Sequence, residues 1–361
     1  MMLNWSLVVC TLNRRELLAQ SLRSAIKQTR LPKQIIVVDA SNNWELAKAY
    51  ILDSLAGESE SIEWIYVGSE QKSATYQRNV GLKYCESDVV FFLDDDAFMY
   101  PDCAEEIMQV YEKDNSHLVG GVTALLADLP PGTVANQVQN EKGVESPSLW
   151  NRILQPFHKF WSSEKLFIPY DGQYYTYDIS ELAKQIPILS EVTLHGCRMT
   201  FRTSVVKPIG GFDEVLIRGA IAEDDDISYK VSRKYALVAA ERAKIFHQET
   251  EIARLKRYTN TVLLILNIIV LFLLNTTIQS GVSFLVYRFA IKRILLEFVR
   301  DCAKPQRGFA HVRGALYAVF WLPKILQMDK EQLRDWYPQF QAQLMDKKQA
   351  FRNSAKISTV S

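Results

Sequence analysis

DVVFFLDDDAF, residues 88–98, joins an unbroken apolar run to three adjacent aspartates. Consecutive apolar residues without polar alternation are typical of a parallel strand that is buried on both faces. The three carboxylates repel one another, whereas two of them, offset by one residue, can share a hard divalent cation. The alternative is a solvated turn with a helix-capping aspartate, which does not explain three acids. The stretch therefore predicts a cation site at the end of a buried strand.

Strand-like and helix-like segments alternate around this stretch. The strand-like segments are 6–11, 34–40, 63–68, 88–94 and 117–122, and the helix-like segments between them are 14–28, 44–56, 73–85 and 101–113. This alternation predicts an α/β fold with a Rossmann-like, mostly parallel central sheet flanked by helices. Ligands of such sheets bind at the carboxyl ends of the strands. The first candidate residues are therefore the polar ones at those ends, namely Thr11, Asn13, Asp39, Ser41 and Asp94 to Asp96.

A second acidic run, IAEDDDISYKV (221–231), stands where a helix begins. The helix dipole favours acids at that position, so capping alone is one explanation. The other is a general base, which takes a proton from an attacking hydroxyl group. Asp224 is the candidate for that base, and Glu223 either orients Asp224 or exchanges roles with it.

Two further side chains are candidate site residues, but the neighbouring sequence does not decide their roles. His247 is the last residue of the strand-like segment 236–247, where it is either structural or an imidazole ligand of a metal or phosphate. Arg78 lies in YQRNVG (76–81), a helix-like segment, and suits pairing with a phosphate or a nucleobase edge.

The motifs, taken in order, resemble the family 2 glycosyltransferases, which are inverting enzymes of GT-A fold. The resemblance covers roughly residues 5–250. Its motifs are VVCTLNR (8–14), IIVVDAS (35–41), RNVG (78–81), FLDDD (92–96), GCRMTFR (196–202), GGFDE (210–214) and EDDD (223–226).

The resemblance implies a nucleotide-sugar donor carrying UDP, GDP or dTDP and a divalent metal, Mn²⁺ or Mg²⁺. The implied donor-binding residues are Thr11, Asn13, Asp39, Arg78, Asn79, Asp94 and Asp95. The implied metal ligands are Asp94, Asp96 and His247, and the implied base is Asp224 with Glu223. One departure concerns the donor: many members have a second aspartate where this chain has Ala40.

Charge is distributed unevenly along the 361 residues. Residues 1–250 contain 25 Lys and Arg against 34 Asp and Glu, whereas residues 251–361 contain 17 against 7. An acidic front argues against nucleic acid as a partner, because phosphate backbones are captured by clustered cations. Five cysteines without CxxC spacing predict a reducing compartment. No secretory signal precedes the first strand, so we expect the catalytic part in the cytoplasm.

The C-terminal part predicts contact with a membrane. Residues 258–287 contain no charged side chain, and basic clusters flank them on both sides. A single span would put one basic cluster on the outer side, against the positive-inside bias. Helices lying in the cytoplasmic leaflet, with LYAVFWLPKIL (316–326) as another, are therefore favoured over a span through 259–280 or a buried bundle.

These observations divide the chain into a catalytic domain, 1–250, and a helical, apolar and basic, membrane-associated region, 251–361. Within the first, the aromatic-rich segment 128–190 is either a surface insertion or an acceptor-binding wall. The predicted reaction moves a sugar to a hydroxyl group of a lipid-linked or cell-surface saccharide precursor at the inner face of the cell membrane. The alternatives are a nucleotidyltransferase and a catalytically silent nucleotide-sugar-binding scaffold.

Overall fold

A computed structural model of the protein describes residues 2–57, 61–133, 170, 175–218, 220–248, 256–303 and 308–357. The described residues fall into two compact units. The first lies within Met1–Gln139, Tyr174–Glu214 and Arg218–Glu251, and the second within Asn140–Gln173, Val215–Ile217 and Ile252–Ser361. The expected division after residue 250 falls in 249–255, outside the described residues, and stays a prediction.

The first unit alternates strands and helices, as the sequence predicts. Its strands are β1 (Trp5–Thr11), β2 (Gln34–Asp39), β3 (Glu63–Gly68), β4 (Val89–Asp94), β5 (Ala97–Met99), β6 (Val119–Ala127), β7 (Ile188–Glu191), β8 (Arg198–Arg202) and β9 (Ala236–His247). Its helices are α1 (Arg15–Ile26), α2 (Trp44–Ser54), α3 (Ala74–Tyr84), α4 (Cys103–Lys113), α5 (Ser180–Ala183), α6 (Thr203–Val206) and α7 (Glu223–Ser232).

These strands form one sheet in the order β3-β2-β1-β4-β8-β6-β9-β5, with β7 paired to β9. The half built from β3, β2, β1 and β4 is parallel, because β1, β2 and β3 are each followed by a helix that returns the chain to the same edge. Beyond β4 the sheet is mixed: β8 runs antiparallel to both of its neighbours, while β6 and β9 are parallel.

Both faces of the sheet are covered, which explains the unbroken apolar runs. Successive side chains in a strand point to opposite faces. Accordingly, Phe91 packs in the cluster that contains Leu18 and Ile107, from α1 and α4. Phe92, the next residue, packs instead with Leu82 and Ile227, from α3 and α7.

Strand register brings the predicted polar residues to one edge. Thr11 stands opposite Asp39 across β1 and β2, and Cys10 stands opposite Asp94 across β1 and β4. The short strand β5 pairs with β9 so that Ala97 is opposite His247. His247 is thereby carried back to the turn that holds the three aspartates.

The described part of the second unit contains four helices: α8 (Arg257–Asn275), α9 (Val282–Cys302), α10 (Ala310–Ile325) and α11 (Lys330–Ile357). Among the described residues, α8 alone has the length and hydropathy of a membrane span, and 67% of its apolar window is buried inside the protein. Asn267, which interrupts the apolar run, accepts a hydrogen bond from the Tyr337 hydroxyl at 2.5 Å. The strongest apolar stretch of the sequence is therefore largely packed against its own neighbours.

Most of the aromatic segment 128–190 lies outside the described residues. Trp150, Phe157, Phe160, Trp161 and Tyr174 lie outside the described residues. Of the others, Tyr170 is buried, Tyr175 is exposed, and the Tyr177 hydroxyl donates to the backbone oxygen of Ser232 at 2.9 Å. Whether the segment binds an acceptor stays a prediction.

Candidate active site

Three of the predicted side chains meet in one group at the end of β4. One potential ligand atom each from Asp94, Asp96 and His247 lies within 4.8 Å of the other two. The imidazole Nε2 of His247 lies 3.0 Å from Asp96 Oδ1. Two carboxylates and one imidazole are a donor set that suits a divalent cation, with the oxygens favouring Mg²⁺ or Mn²⁺. The residues therefore fit the metal that the resemblance implies.

Asp95, the middle aspartate, faces the protein instead. Its Oδ2 accepts a hydrogen bond from the Thr11 hydroxyl at 2.7 Å, and its Oδ1 accepts one from Arg14 Nη1 at 3.0 Å. The same Arg14 nitrogen donates to Asp96 Oδ2 at 2.9 Å. The hydrogen bond between Thr11 and Asp95 thus fixes the turn that follows β4 to the end of β1. No role was predicted for Arg14, although an arginine three residues after β1, at the edge that carries three aspartates, is a signal for a charge partner.

The surroundings shift the pKa values of the two acids in opposite directions. Burial raises the pKa of Asp95 to about 6, and the Thr11 hydrogen bond and the Arg14 charge only partly oppose it. Burial also acts on Asp96, but the hydrogen bond and charge of His247, together with Arg14, lower its pKa below the usual value. Asp96 is therefore ionised at neutral pH, as a metal ligand must be.

Arg78 links the two acidic runs. Its Nη1 donates to Glu223 Oε1 at 2.7 Å, and its Nη2 donates to Asp94 Oδ1 at 3.0 Å and to the backbone oxygen of Gly196 at 3.4 Å. The guanidinium is almost fully buried and lies over the ring of Phe212. The structure thus directs these donors to protein groups. The expected contact of Arg78 with the donor nucleotide stays a prediction.

Glu223 and Asp224 begin α7 in different environments. Burial and the neighbouring charge of Asp224 raise the pKa of Glu223 to about 8, against the opposing effect of Arg78. Asp224 is half-buried, and its Oδ2 accepts a hydrogen bond from the Gly196 backbone N–H at 3.2 Å. The Glu223 carboxylate is already paired with Arg78, so Asp224 is the better candidate for the base. A Cβ on Gly196 would lie 2.9 Å from Glu223 Oε1, so glycine permits this close approach.

We expect Arg78→Met to lower the free energy of unfolding by about 3 kcal/mol, because it leaves Glu223 and part of Asp94 without their buried partner. Urea denaturation of the full chain, followed by fluorescence, measures the change. Arg15→Met is the matched control, since Arg15 forms an exposed pair with Glu16. A solvent-exposed pair of this kind contributes little to stability. Equal losses in the two variants would show that Arg78 does not hold the site together.

Asp39 lies at the neighbouring strand end with its carboxylate held on both sides. Its Oδ1 accepts a hydrogen bond from the Ser41 backbone N–H, and its Oδ2 accepts one from the Tyr66 hydroxyl, both at 2.7 Å. Tyr66 was not predicted as a site residue, because nothing in the sequence of β3 indicates that its hydroxyl group bonds to Asp39. The backbone N–H of Asn13, which has a positive φ, donates to the Ser41 hydroxyl at 2.7 Å.

A cavity of about 330 Å³ opens between the segments that follow β1 and β2. It therefore occupies the position that ligands take in parallel sheets. Gln77 braces the strands behind it by donating to the backbone oxygens of Thr11 and Val38. The residues lining the cavity are Asn13, Arg14, Arg15, Glu16, Ser41, Asn42, Asn43, Leu46 and Ala47.

Asn79 is not brought into the acidic group. Consecutive residues of a helix point about 100° apart, so Asn79 faces away from its neighbour Arg78. Its amide nitrogen donates to Phe212 O at 2.9 Å and to Glu214 Oε1 at 2.8 Å, and its oxygen accepts from the Phe212 backbone N–H. The expectation that Asn79 binds the donor stays a prediction. The side chain holds the glycine turn at 210–214 instead.

This turn yields a prediction about two adjacent glycines. Gly210 and Gly211 both have positive φ, but a Cβ on Gly210 would meet nothing, whereas one on Gly211 would collide with Asn79 Oδ1. We expect Gly211→Ala to destabilise the protein by about 1–3 kcal/mol more than Gly210→Ala, because only the first adds a steric clash to the backbone strain. Thermal unfolding of the two variants measures the difference, and equal melting temperatures would contradict the role assigned to Asn79.

Residues 6–172 match the family model described as "Glycosyl transferase family 2". Over this stretch, which is just under half of the chain, the protein is similar to the family 2 glycosyltransferases. The resemblance drawn from the motifs is thereby confirmed. The matched stretch includes Asp39, Arg78 and the three aspartates, whereas Asp224 and His247 lie beyond it.

A curated relative of this glycosyltransferase domain is the glucosyl-dolichyl phosphate glucuronosyltransferase of Haloferax volcanii. It is 27% identical over 122 residues, which are 33% of this chain and 38% of that protein. The match therefore spans well under two thirds of the relative's length.

Solved structures show the fold of the domain. The mannosyltransferase PcManGT from Pyrobaculum calidifontis, in complex with GDP-Man and Mn²⁺, has a TM-score of 0.51 at 14% identity, with 96% of this chain and 86% of that chain covered. The GT-A fold prediction is thus confirmed. GalNAc-T7 with UDP, GalNAc and Mn²⁺ has a TM-score of 0.48 at 14% identity, and 69% of this chain covers 45% of that one.

Proposed function

We propose that the protein is an inverting glycosyltransferase that moves a sugar from a nucleoside diphosphate donor to a hydroxyl group of a lipid-linked or cell-surface saccharide precursor at the cytoplasmic membrane face. The observation that carries this proposal is the convergence of Asp94, Asp96 and His247 beside Arg78, which ties them to the Glu223–Asp224 pair. A cation site and a candidate base are thereby connected through a single side chain.

Asp94, Asp96 and His247 would hold the divalent metal, Mn²⁺ or Mg²⁺. When bound, such a cation offsets negative charge on the departing diphosphate. Arg14 keeps one oxygen of Asp96 fixed while His247 fixes the other, so the carboxylate is oriented before any ligand arrives. Asp94 is oriented in the same way by Arg78.

Asp224 would act as the base. In this assignment a carboxylate oxygen of Asp224 takes the proton of the acceptor hydroxyl group as that oxygen bonds to the anomeric carbon. The bond from this carbon to the diphosphate breaks, and the diphosphate leaves with the electron pair. The backbone N–H groups of Gly196 and Asp225 hold the Asp224 carboxylate in place. Glu223 orients this end of α7 through Arg78.

The cavity between the segments after β1 and β2 would take the nucleobase and ribose. Asn13 and Ser41 line it, and Asp39 bonds to the backbone of Ser41. A carboxylate offers about four lone-pair sites, so Asp39 can accept a nucleobase N–H in addition to its two present donors. This chain has Ala40 where many family members have a second aspartate, so the base contact of those members does not indicate its donor. UDP, GDP and dTDP sugars are therefore all donors to test.

Two observations support a membrane-bound acceptor. The Haloferax volcanii relative is named for a dolichyl phosphate substrate. The second unit is rich in apolar and basic residues, as expected for a protein that works on lipid-linked substrates. The proposed division therefore assigns 1–250 to catalysis and 251–361 to the inner face of the cell membrane.

A donor screen with a turnover measurement tests the proposal. The full chain, Mn²⁺ and each of the UDP, GDP and dTDP sugars are incubated with and without membrane extract, and released nucleoside diphosphate is measured. We expect one donor to give release that depends on both metal and extract. Calorimetric binding of a donor without turnover would indicate a silent scaffold, and pyrophosphate release from a nucleoside triphosphate would indicate a nucleotidyltransferase. Either outcome would overturn the proposal.

A further inference from the structure

Helix α9 exposes an apolar stripe. Phe284, Tyr287, Ile291, Leu295 and Phe298 are all exposed, Phe284 by 69% and Ile291 by 57%. They follow one another at steps of three and four residues, which places them on one face of the helix. Phe309, which directly precedes α10, extends the apolar surface because its ring lies 6.2 Å from that of Phe298.

The opposite face of α9 buries charges. The Glu297 carboxylate is fully buried and pairs with Arg293 and Arg300 on the same helix, while His311 of α10 lies 3.7 Å from it. Asp301, also buried, accepts a hydrogen bond from the Val312 backbone N–H at 2.9 Å. A helix on a water-facing surface has the reverse arrangement, with apolar residues inside and charges outside. The exposed stripe is therefore unusual for a helix face that meets water, even though Val286, Phe289 and Ala290 are buried on the opposite face.

The charge that borders the stripe is positive. Both acids of α9, Glu297 and Asp301, are buried, so the exposed charged side chains of this helix are Arg288 and Arg300. Helix α10, which packs against α9, contains no acidic residue. Its exposed Leu316 and Phe320 lie between the basic residues Arg313 and Lys324. The partner of these helices must accept apolar side chains and cations together.

We propose that the stripe of Phe284, Tyr287, Ile291, Leu295 and Phe298 inserts between the headgroups of an anionic lipid leaflet, with Arg288 at the lipid phosphates. Apolar residues with a basic border are the pattern of helices that lie in a membrane interface. A second copy of the chain fits less well. A two-fold contact through this face would set cations against cations, because no exposed acid on α9 could neutralise them.

This surface specifies how the membrane association proposed above takes place. Its binding to lipid does not depend on the sugar-transfer chemistry. It also shifts the contact along the chain. The sequence favoured the uncharged residues 258–287, but most of the apolar window of α8 is buried among neighbouring helices. Of the uncharged stretch, Phe284 and Tyr287 belong to the proposed surface, and the rest of the surface follows it in α9. The charged residues of α9 lower its mean hydropathy, so a hydropathy profile does not detect this stripe.

Co-sedimentation with vesicles tests the surface on the full chain. The vesicles are pure phosphatidylcholine in one series and phosphatidylcholine mixed with phosphatidylglycerol in the other. We expect Ile291→Ser to weaken binding about three- to tenfold and the triple variant Phe284→Ser/Ile291→Ser/Leu295→Ser to abolish it. Arg288→Gln is expected to weaken binding to the anionic vesicles about fivefold and to leave the neutral series unchanged.

Leu126→Ser is the matched control, because Leu126 of β6 is exposed by 57%, as Ile291 is. It should bind vesicles like the unmodified protein. Unmodified protein that fails to bind, or Ile291→Ser that binds as tightly as the control, overturns the proposal. So does sedimentation velocity that shows a dimer converted to a monomer by Ile291→Ser.

Donor binding to the same variants separates this inference from the proposed function. Calorimetry with Mn²⁺ and the nucleotide, without vesicles, should give equal affinities for Ile291→Ser and Leu126→Ser. Vesicle binding without donor binding would refute the sugar-transfer proposal and leave the lipid surface standing. Donor turnover without vesicle binding would refute the surface alone.

Discussion

Asp96→Asn is expected to lower sugar transfer by about 10²- to 10³-fold at moderate Mn²⁺ concentration, because it removes a charged ligand from the group that stabilises the departing diphosphate. The asparagine keeps the shape of the side chain and one oxygen. It loses the negative charge that pairs with Arg14 and His247. Part of the loss should return at high Mn²⁺ concentration, because the effect acts through metal binding.

Metal binding measured by electron paramagnetic resonance of Mn²⁺ provides a readout that does not need turnover. We expect the apparent affinity to fall at least about tenfold in Asp96→Asn. Asp53→Asn is the control, since Asp53 is an exposed carboxylate on α2, far along the chain from the group. Unchanged Mn²⁺ binding in Asp96→Asn would refute the assignment of Asp96, even if activity fell.

The parts of the fold that follow from local sequence were predictable. Unbroken apolar runs predict buried parallel strands, and β1 to β4 were expected close to where they lie. The carboxyl ends of parallel strands share an edge, so the nearness of Thr11, Asp39 and Asp94 also followed. The pairing of strands that are distant in sequence could not be predicted. Nothing local indicates that β5 pairs with β9, and this pairing is what sets His247 beside Asp96.

The direction in which a side chain points also could not be predicted from the sequence. Arg78 and Asn79 adjoin in one motif, yet Arg78 bonds to Asp94 and Glu223, whereas Asn79 bonds to the turn at 210–214. Likewise, Asp95 was expected among the donor-binding residues, and the motif did not reveal that Thr11 and Arg14 hold its carboxylate on the protein side. Such differences depend on partners distant in sequence, and a motif alone contains no information about them.

Asp224→Asn is expected to reduce kcat by about 10²- to 10⁴-fold while leaving donor and Mn²⁺ affinity nearly unchanged, because a general base acts on the acceptor only during the reaction. This split between kcat and metal binding distinguishes Asp224 from Asp96. Both of its carboxylate oxygens accept backbone N–H bonds, from Gly196 and Asp225. Asparagine retains one acceptor oxygen, so the start of α7 should remain folded.

Asp225→Asn is the matched control for this position. Asp224 and Asp225 are adjacent in the first turn of α7, so each substitution removes one favourable charge from the positive end of the helix dipole. The two variants should therefore lose similar, small amounts of stability in urea denaturation. Transfer should collapse only in Asp224→Asn. If Asp225→Asn lost as much activity, the charge of the helix terminus would explain the effect, and no specific base would be needed at Asp224.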